Sequence, residues 1–416
     1  MILRIFWSLS LTLFLHAFAL AQQSPAYLSQ VGIPDSIYSE VLQESRTYWV
    51  HYPPGYQPES SEKYPVAILL DGEVWLPTLA AVHEFYSGGF MPEMILVGIS
   101  NAENRTRDLT PTHIDTKYGF PFTEPNGGAE EFGTFLSKEL IPHLESRYPI
   151  TNYRTLIGHS YGGLFTTFML LYYPEVFANY VAIDPSLDWD GQAMLKYAEA
   201  NWDALPVEGK ALYVALSGQL HMQDPTVTLD NVMEDASDFT LFPRSILAFG
   251  QVAAAAEQAG FRYSQQFFAH DLHGTIPVPA IRQGLMEVFE WFQMEQTDKF
   301  NSFETPAAEL AEIVRYRADK LERHFGYPVP PYPEDLMNMS GYMSLEMGQA
   351  EKAKMFFELG LQYFPQSANT YDSMADYYEQ KGDLDQALEN VTRAFEISGS
   401  DYHRERLESL KERVGE

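Results

Sequence analysis

The sequence predicts an α/β domain, a mostly parallel sheet covered by helices on both faces, followed by a smaller all-α domain. Three observations predict it. Short β-branched and aromatic runs alternate with helical patterns through the first 300 residues. One strand-like run passes through a glycine-flanked serine into a helical pattern. Beyond Thr305 the strand pattern stops, and small residues recur at a fixed spacing. A length of 416 residues fits two cores better than one.

In chain order, Met1 to Ala21 comes first. It has one positive charge at Arg4, apolar runs from Ile5 to Leu15 and Ala17 to Leu20, and small residues Ala19 and Ala21 around Leu20. This is the pattern of a secretory signal peptide cleaved after Ala21. The run is broken by His16 and falls short of the ~20 apolar residues a membrane helix needs. The mature protein is therefore expected without a stable membrane span, in the periplasm or outside the cell.

The strand-like runs are Arg46 to Tyr52, Val66 to Leu70, Met94 to Ser100, Thr155 to Gly158, Tyr180 to Ile183, Ala211 to Leu216 and Arg262 to Phe268, each bounded by Gly, Pro or Asn. Helical patterns lie between them, such as Ala129 to Leu144 after the loop Asn126, Gly127, Gly128, and Gly162 to Tyr173 before Pro174. Ala307 to His324 reads as an exposed helix, and Gly326 to Pro333 as a linker rich in Pro and Tyr. Further on, an offset of 34 residues relates Gly341 to Ala375, Gly348 to Gly382, Ala353 to Ala387 and Gly360 to Ala394. Small residues let paired helices cross closely, so this spacing reads as two tetratricopeptide-like helix hairpins. Two such units rarely stand alone, and the helix from Ala307 to His324 or the α/β domain is expected to cover their open face. The expected division is a signal peptide over 1–21, the α/β domain over 22–297, a helix and Pro-rich linker over 298–333, repeats over 334–402 and a C-terminal tail over 403–416.

Composition removes whole classes of function. Lys plus Arg number 27 against 57 for Asp plus Glu, a net charge of −30, so the surface repels nucleic acid. Cysteine is absent, which leaves no disulfide, thiolate metal site or cysteine nucleophile.

The chemistry centres on TLIGHSYGG, Thr155 to Gly163, in which Gly158, His159, Ser160, Tyr161 and Gly162 fit G-x-S-x-G between a strand and a helix. A serine at the tip of that turn stands exposed. The new helix directs its N-terminal amides at charge developing on a substrate oxygen, and the Tyr161 N–H is one candidate oxyanion donor. A serine hydroxyl needs a base. His270 and His273 both follow the last strand, and His273, followed by Gly274 and Thr275, sits in a loop that frees its ring. His273 is the candidate base; as metal ligands the pair lacks a carboxylate–histidine cluster nearby.

The segments SRTYWVHYPPGY (Ser45 to Tyr56), AILLDGE (Ala67 to Glu73), ISNAENRTRDLTPTH (Ile99 to His113), YRTLIGHSYGGLF (Tyr153 to Phe165), IDPSLDWD (Ile183 to Asp190) and HGTIPVPA (His273 to Ala280) resemble the putative esterase family of α/β-hydrolases. That family includes enterochelin and other siderophore esterases and is related to esterase D and feruloyl esterases. The resemblance spans about Ile37 to Phe292 and implies Ser160 as nucleophile, His273 as base and a second oxyanion amide on Glu73. The charged stretch from Arg105 to Pro111 looks characteristic of the family; Arg107 and Asp108 are expected to tie down their loop. In this fold the acid follows the strand before the histidine strand, here Ala211 to Leu216. Asp224 is the first candidate, held out of a helix by Pro225. Asp230 is the runner-up, with Glu234, Asp235 and Asp238 where the chain can already be helical.

The expected function is a secreted serine esterase hydrolysing carboxylic esters through an acyl-enzyme on Ser160, with a small-molecule ester as substrate and no metal or organic cofactor implied. The alternatives are a siderophore trilactone esterase, an acyltransferase on the same residues, or a vestigial enzyme acting through a protein or peptide partner on its repeats.

Overall fold

The computed structural model describes residues 30–58, 62–255 and 260–415, so the expected signal segment, Met1 to Ala21, lies outside the described residues. The chain divides into two compact units, Met1–Gln293 and Met294–Glu416.

The first unit is built on the strands β1 (Ile33–Ser39), β2 (Glu44–His51), β3 (Tyr64–Leu69), β4 (Ile95–Ile99), β7 (Ile150–His159), β8 (Asn179–Ile183), β9 (Ala211–Ser217) and β10 (Arg262–Phe268), with β5 (Thr116–Lys117) and β6 (Phe120–Pro121) as a separate hairpin. Among the described residues the main sheet has eight strands in the order β1-β2-β4-β3-β7-β8-β9-β10. The first two pairings are antiparallel. The rest are parallel.

Buried parallel strands read as unbroken apolar runs because helices cover both faces, and β3, β4, β8 and β9 are buried at every position. The helices are α1 (Gly72–Tyr86), α2 (Arg105–Leu109), α3 (Ala129–Thr134), α4 (Ile141–Arg147), α5 (Tyr161–Tyr172), α6 (Trp189–Asn201), α7 (Leu241–Ala255) and α8 (Pro277–Val288). A π-helical stretch, Phe135–Leu140, joins α3 to α4, so the helix expected from Ala129 to Leu144 is one run with a wider turn inside it. Helix α5 is buried on all sides from Gly162 to Leu171, as a helix without a polar face must be.

Two elements go beyond the sequence reading. Strand β1 sits at the sheet edge, where Pro34 costs no ladder bond. The β5–β6 hairpin turns through Tyr118 (φ 51°) and Gly119 (φ 79°), both left-handed as a two-residue turn requires.

The second unit is an all-helical region: α9 (Ala307–Phe325), α10 (Glu334–Glu346), α11 (Ala350–Tyr363), α12 (Ala368–Lys381), α13 (Leu384–Ser398) and α14 (Asp401–Val414). Of the small residues of the 34-residue offset, Ala353, Ala375, Ala387 and Ala394 are fully buried, whereas Gly348 and Gly382 stand in left-handed turns at helix ends with open space around them. A methyl at Gly341 would lie 2.4 Å from the Phe357 ring. At one end Val314 of α9 packs with Met337 and Leu359. At the other Leu407 and Leu410 of α14 close over Ala387 and Val391, so the C-terminal tail is itself a helix that covers the open face.

Candidate active site

Strand β7 lies between β3 and β8 and delivers Ser160 at its carboxyl end. Ser160 is held at φ 59°, ψ −116°, a conformation that costs a serine on the order of 1–3 kcal/mol. The surroundings impose it. The Ser160 N–H donates to the Ile183 carbonyl at 3.0 Å, and the Ser160 carbonyl accepts from Leu164 at 2.9 Å and Ser186 at 3.1 Å. A Cβ at Gly158 would stand 2.2 Å from the Gly162 carbonyl oxygen, so strand and helix can approach this closely only because residue 158 is glycine.

His273 follows β10 in a loop. Its Nε2 lies 3.0 Å from Ser160 Oγ, and its Nδ1 lies 2.7 Å from Asp184 Oδ2. A ring that donates from Nδ1 to the carboxylate is free to accept the serine proton at Nε2. Asp184 is fully buried directly after β8, and its second oxygen accepts the Ser217 N–H at 2.9 Å. Three further contacts hold the ring in place. The His273 N–H donates to Gln219 Oε1 at 3.2 Å. His159 Nε2 lies 2.8 Å from the His273 carbonyl, and Phe242 meets the ring edge-on at 5.3 Å. Burial, reinforced by His273, holds the His159 imidazole down at about 4, so His159 is neutral at neutral pH and donates through Nε2.

Ser160 and His273 thus meet, as expected from the sequence, but Asp224 does not join them. Its Oδ1 accepts from the Thr226 N–H (2.9 Å) and hydroxyl (2.7 Å), capping its own exposed turn, and those bonds hold its carboxyl below the usual range. Of the other candidates, Asp230, Glu234 and Asp238 are exposed, and Asp235 accepts the Ser237 N–H at 2.6 Å. The correction is one strand: the carboxylate comes from the end of β8, not from the loop after β9. A recognisable signal for Asp184 is a lone acid immediately after the wholly apolar strand end VAI, in register with Ser160 one strand away.

The proposed oxyanion amides follow neighbouring strands. Leu69 of β3 pairs with Ile157 of β7, and each strand runs into a helix, α1 carrying Glu73 in its first turn and α5 opening with Tyr161. Gly72 is required here, since a Cβ would meet the Gly98 backbone of β4 at 2.4 Å. The Glu73 carboxyl folds back toward its own amide and accepts the Asn101 N–H at 3.3 Å; burial raises its pKa. Arg107 and Asp108 tie their loop to β2: Asp108 pairs with Arg46 and with Arg107 Nε at 2.8 Å, and Arg107 reaches Glu44 at 2.6 Å.

Above Ser160 opens a cavity of about 620 Å³. Tyr118 and Phe120 of the hairpin, Phe239 and Phe242 give it an aromatic wall, with Met222 beside them. Ser186 Oγ lies 3.3 Å from Ser160 Oγ at its floor. Lys117 enters between Tyr161 and Trp189, its ammonium 3.1 Å from the Tyr161 hydroxyl.

A parallel sheet with a serine elbow at the carboxyl end of one strand and a histidine after the last is the architecture of an α/β-hydrolase. Residues 39–235 match the family described as "Putative esterase". The ferri-bacillibactin esterase BesA of Bacillus subtilis is 30% identical over 208 residues, 46% of this chain and 72% of that one. The siderophore triacetylfusarinine C esterase of Aspergillus fumigatus is 29% identical over 151 residues, 33% of this chain and 49% of that one. Among solved structures, an IroE-like serine hydrolase from Shewanella oneidensis superposes with a TM-score of 0.65 at 26% identity, covering 80% of this chain and 99% of its own. An uncharacterised protein from Capnocytophaga ochracea shares the fold at 19% identity, with a TM-score of 0.59 over 91% of this chain and 99% of its own. The chain belongs to the putative esterase family, and its activity is that of a hydrolase acting on esters.

Proposed function

We propose that the protein is a serine esterase working through an acyl-enzyme on Ser160. One observation carries this reading: the unbroken chain from Ser160 Oγ to His273 Nε2 at 3.0 Å and from His273 Nδ1 to Asp184 at 2.7 Å. Ser160 Oγ attacks the ester carbonyl while His273 takes its proton, and Asp184 stabilises the imidazolium so formed. The Tyr161 amide receives the oxyanion together with the Glu73 amide, which the Glu73 carboxyl must release as the charge forms. His273 then protonates the leaving alcohol, and a water deprotonated by the same ring releases the acid.

Within this reading a siderophore ester is the narrower substrate class, favoured by the names of the relatives in Bacillus and Aspergillus. Export follows from the composition of Met1 to Ala21, and no helix among the described residues is long and apolar enough to cross a membrane. The spacing of small residues in the helical region supports tetratricopeptide-like repeats, with a role in binding a protein or peptide partner.

The test is turnover of a panel of short-chain aryl esters, feruloyl esters and ferric trilactone siderophores by the wild type and Ser160→Ala. Loss of all turnover in the variant supports the nucleophile, and the panel ranks the substrates. Product analysis with added alcohols separates hydrolysis from acyl transfer.

A further inference from the structure

We propose that Arg105 is a positioning residue for the oxyanion hole, clamping the turn that carries Glu73 to the elbow that carries Ser160 and Tyr161. The proposal rests on the serine-esterase reading above and adds a residue outside the lining of the cavity above Ser160.

The two candidate oxyanion amides belong to separate turns, one after β3 and one after β7. Sheet pairing registers β3 against β7 as far as Leu69 and Ile157, with the Leu70 N–H on the Ile157 carbonyl at 3.0 Å; beyond that β7 stays paired with β8 on its other side, and the two turns no longer pair with each other. Donors contribute to rate only when fixed about 3 Å from the site of the developing charge, so the spacing of the two turns needs a brace. Arg105 spans them. Its Nε and Nη2 donate to the two carboxylate oxygens of Asp71 at 2.8 and 2.9 Å, a bidentate fork. The same Nη2 donates to the carbonyl of His159, the residue before the nucleophile, at 3.1 Å. The guanidinium also lies 5.6 Å from the centre of the Tyr161 ring. One side chain therefore touches the residue before α1 and the residues on both sides of Ser160.

Asp71 is a fitting anchor. It is buried, and its backbone is left-handed at φ 51°, ψ 43°, a conformation that sets the direction in which α1 starts and so the direction of the Glu73 N–H. Asn101 Oδ1 takes the Asp71 N–H at 3.1 Å, fixing the other side of the turn. Arg105 opens the short helix α2, which the Arg107, Asp108, Glu44 and Arg46 network fastens to β2, so the brace stands on a rigid base. A lysine could reach one oxygen of Asp71 but could not fork to both and hold the His159 carbonyl as well.

The experiment compares wild type, Arg105→Lys and Arg105→Ala on p-nitrophenyl acetate, with inhibition by an aryl trifluoromethyl ketone, whose hemiketal oxyanion mimics the tetrahedral intermediate. Stoichiometric fluorophosphonate labelling of the wild type at Ser160 is checked first; if Ser160 is not labelled, it is the esterase reading that fails, not the clamp. The clamp predicts that Arg105→Lys lowers kcat by ten- to a hundredfold with KM within about threefold. Trifluoromethyl ketone affinity should weaken by the same factor as kcat/KM, while inhibition by the product p-nitrophenol stays unchanged. Millimolar methylguanidine should restore Arg105→Ala at least tenfold where ethylammonium does not. Asp71→Asn, which keeps the shape of the anchor and loses its charge, gives a second measurement should an Arg105 variant fold poorly, and should show the same selective loss. A kcat for Arg105→Lys within threefold of wild type, a change confined to KM, or equal weakening of ketone and product would each overturn the proposal.

Discussion

The Asp184 carboxylate sits 2.7 Å from Nδ1 of His273 across 89 residues of sequence, fully buried and held from its other oxygen by the Ser217 amide. A buried acid so oriented fixes the imidazole tautomer. Asp184→Asn keeps the shape but favours a ring protonated on the nitrogen that must accept the serine proton, so kcat should fall by about 10⁴. Asp224→Asn, in its exposed turn, should remain within about twofold of wild type. Steady-state kinetics on one aryl ester, with circular dichroism to verify folding, checks both, and the opposite ranking would return the acid to the loop after β9.

His159 supports the same ring from the other side. Its Nε2 is 2.8 Å from the His273 carbonyl, and the two rings lie 4.6 Å apart. His159→Phe keeps the ring contact and removes the donor, so the His273 loop should loosen and kcat fall by about tenfold. His159→Gln, which can still donate, should recover part of the loss. Equal rates for all three proteins would show that the loop needs no such tie.

How much of this site could be read from residues alone depended on locality. Ser160 was legible because its chemistry sits inside one five-residue motif, and His273 because it follows the last strand in a glycine-bearing loop. Asp184 was not, although it lies in the segment from Ile183 to Asp190 that carries the family resemblance: which strand end faces the imidazole is a matter of sheet order, and the general rule of the fold points to the loop one strand further on. The hairpin β5–β6 escaped for another reason, since strands of two residues carry no periodicity. In the helical region the 34-residue offset was informative because close helix crossings demand small side chains, as the contact of Gly341 with Phe357 illustrates.

Stability should depend on pH through His83. The ring is fully buried, accepts the Met94 N–H at 2.9 Å through Nε2, and burial pushes it down to about 4. An unfolded histidine titrates near ~6.5. The unfolded state therefore takes up a proton first as pH falls, so the folded state is most favoured above pH ~6.5 and loses on the order of 3 kcal/mol by pH ~4. Urea unfolding at pH 7.5 and 4.5 should show a smaller acid loss in His83→Gln than in wild type. An unchanged difference would mean that His83 does not drive the acid transition.

The catalytic groups proposed here all precede Gln293, where the first compact unit ends. A chain ending after Gln293 should fold and hydrolyse p-nitrophenyl acetate with kcat/KM within about threefold of the full protein. If it is insoluble instead, the helical region belongs to the stability of the first unit. If it turns over the aryl ester but loses a natural substrate found in the panel, the helical region serves recognition.

Formation of the covalent intermediate on Ser160 is read most directly by mass spectrometry of the intact protein after reaction with a fluorophosphonate, followed by peptide mapping. One equivalent of adduct is expected on the peptide bearing Ser160, blocked in Ser160→Ala, with hydrolysis of aryl esters falling by ~10⁴ or more in that variant. Adduct on another residue, or a Ser160→Ala enzyme that keeps a tenth of the wild-type rate, would contradict it.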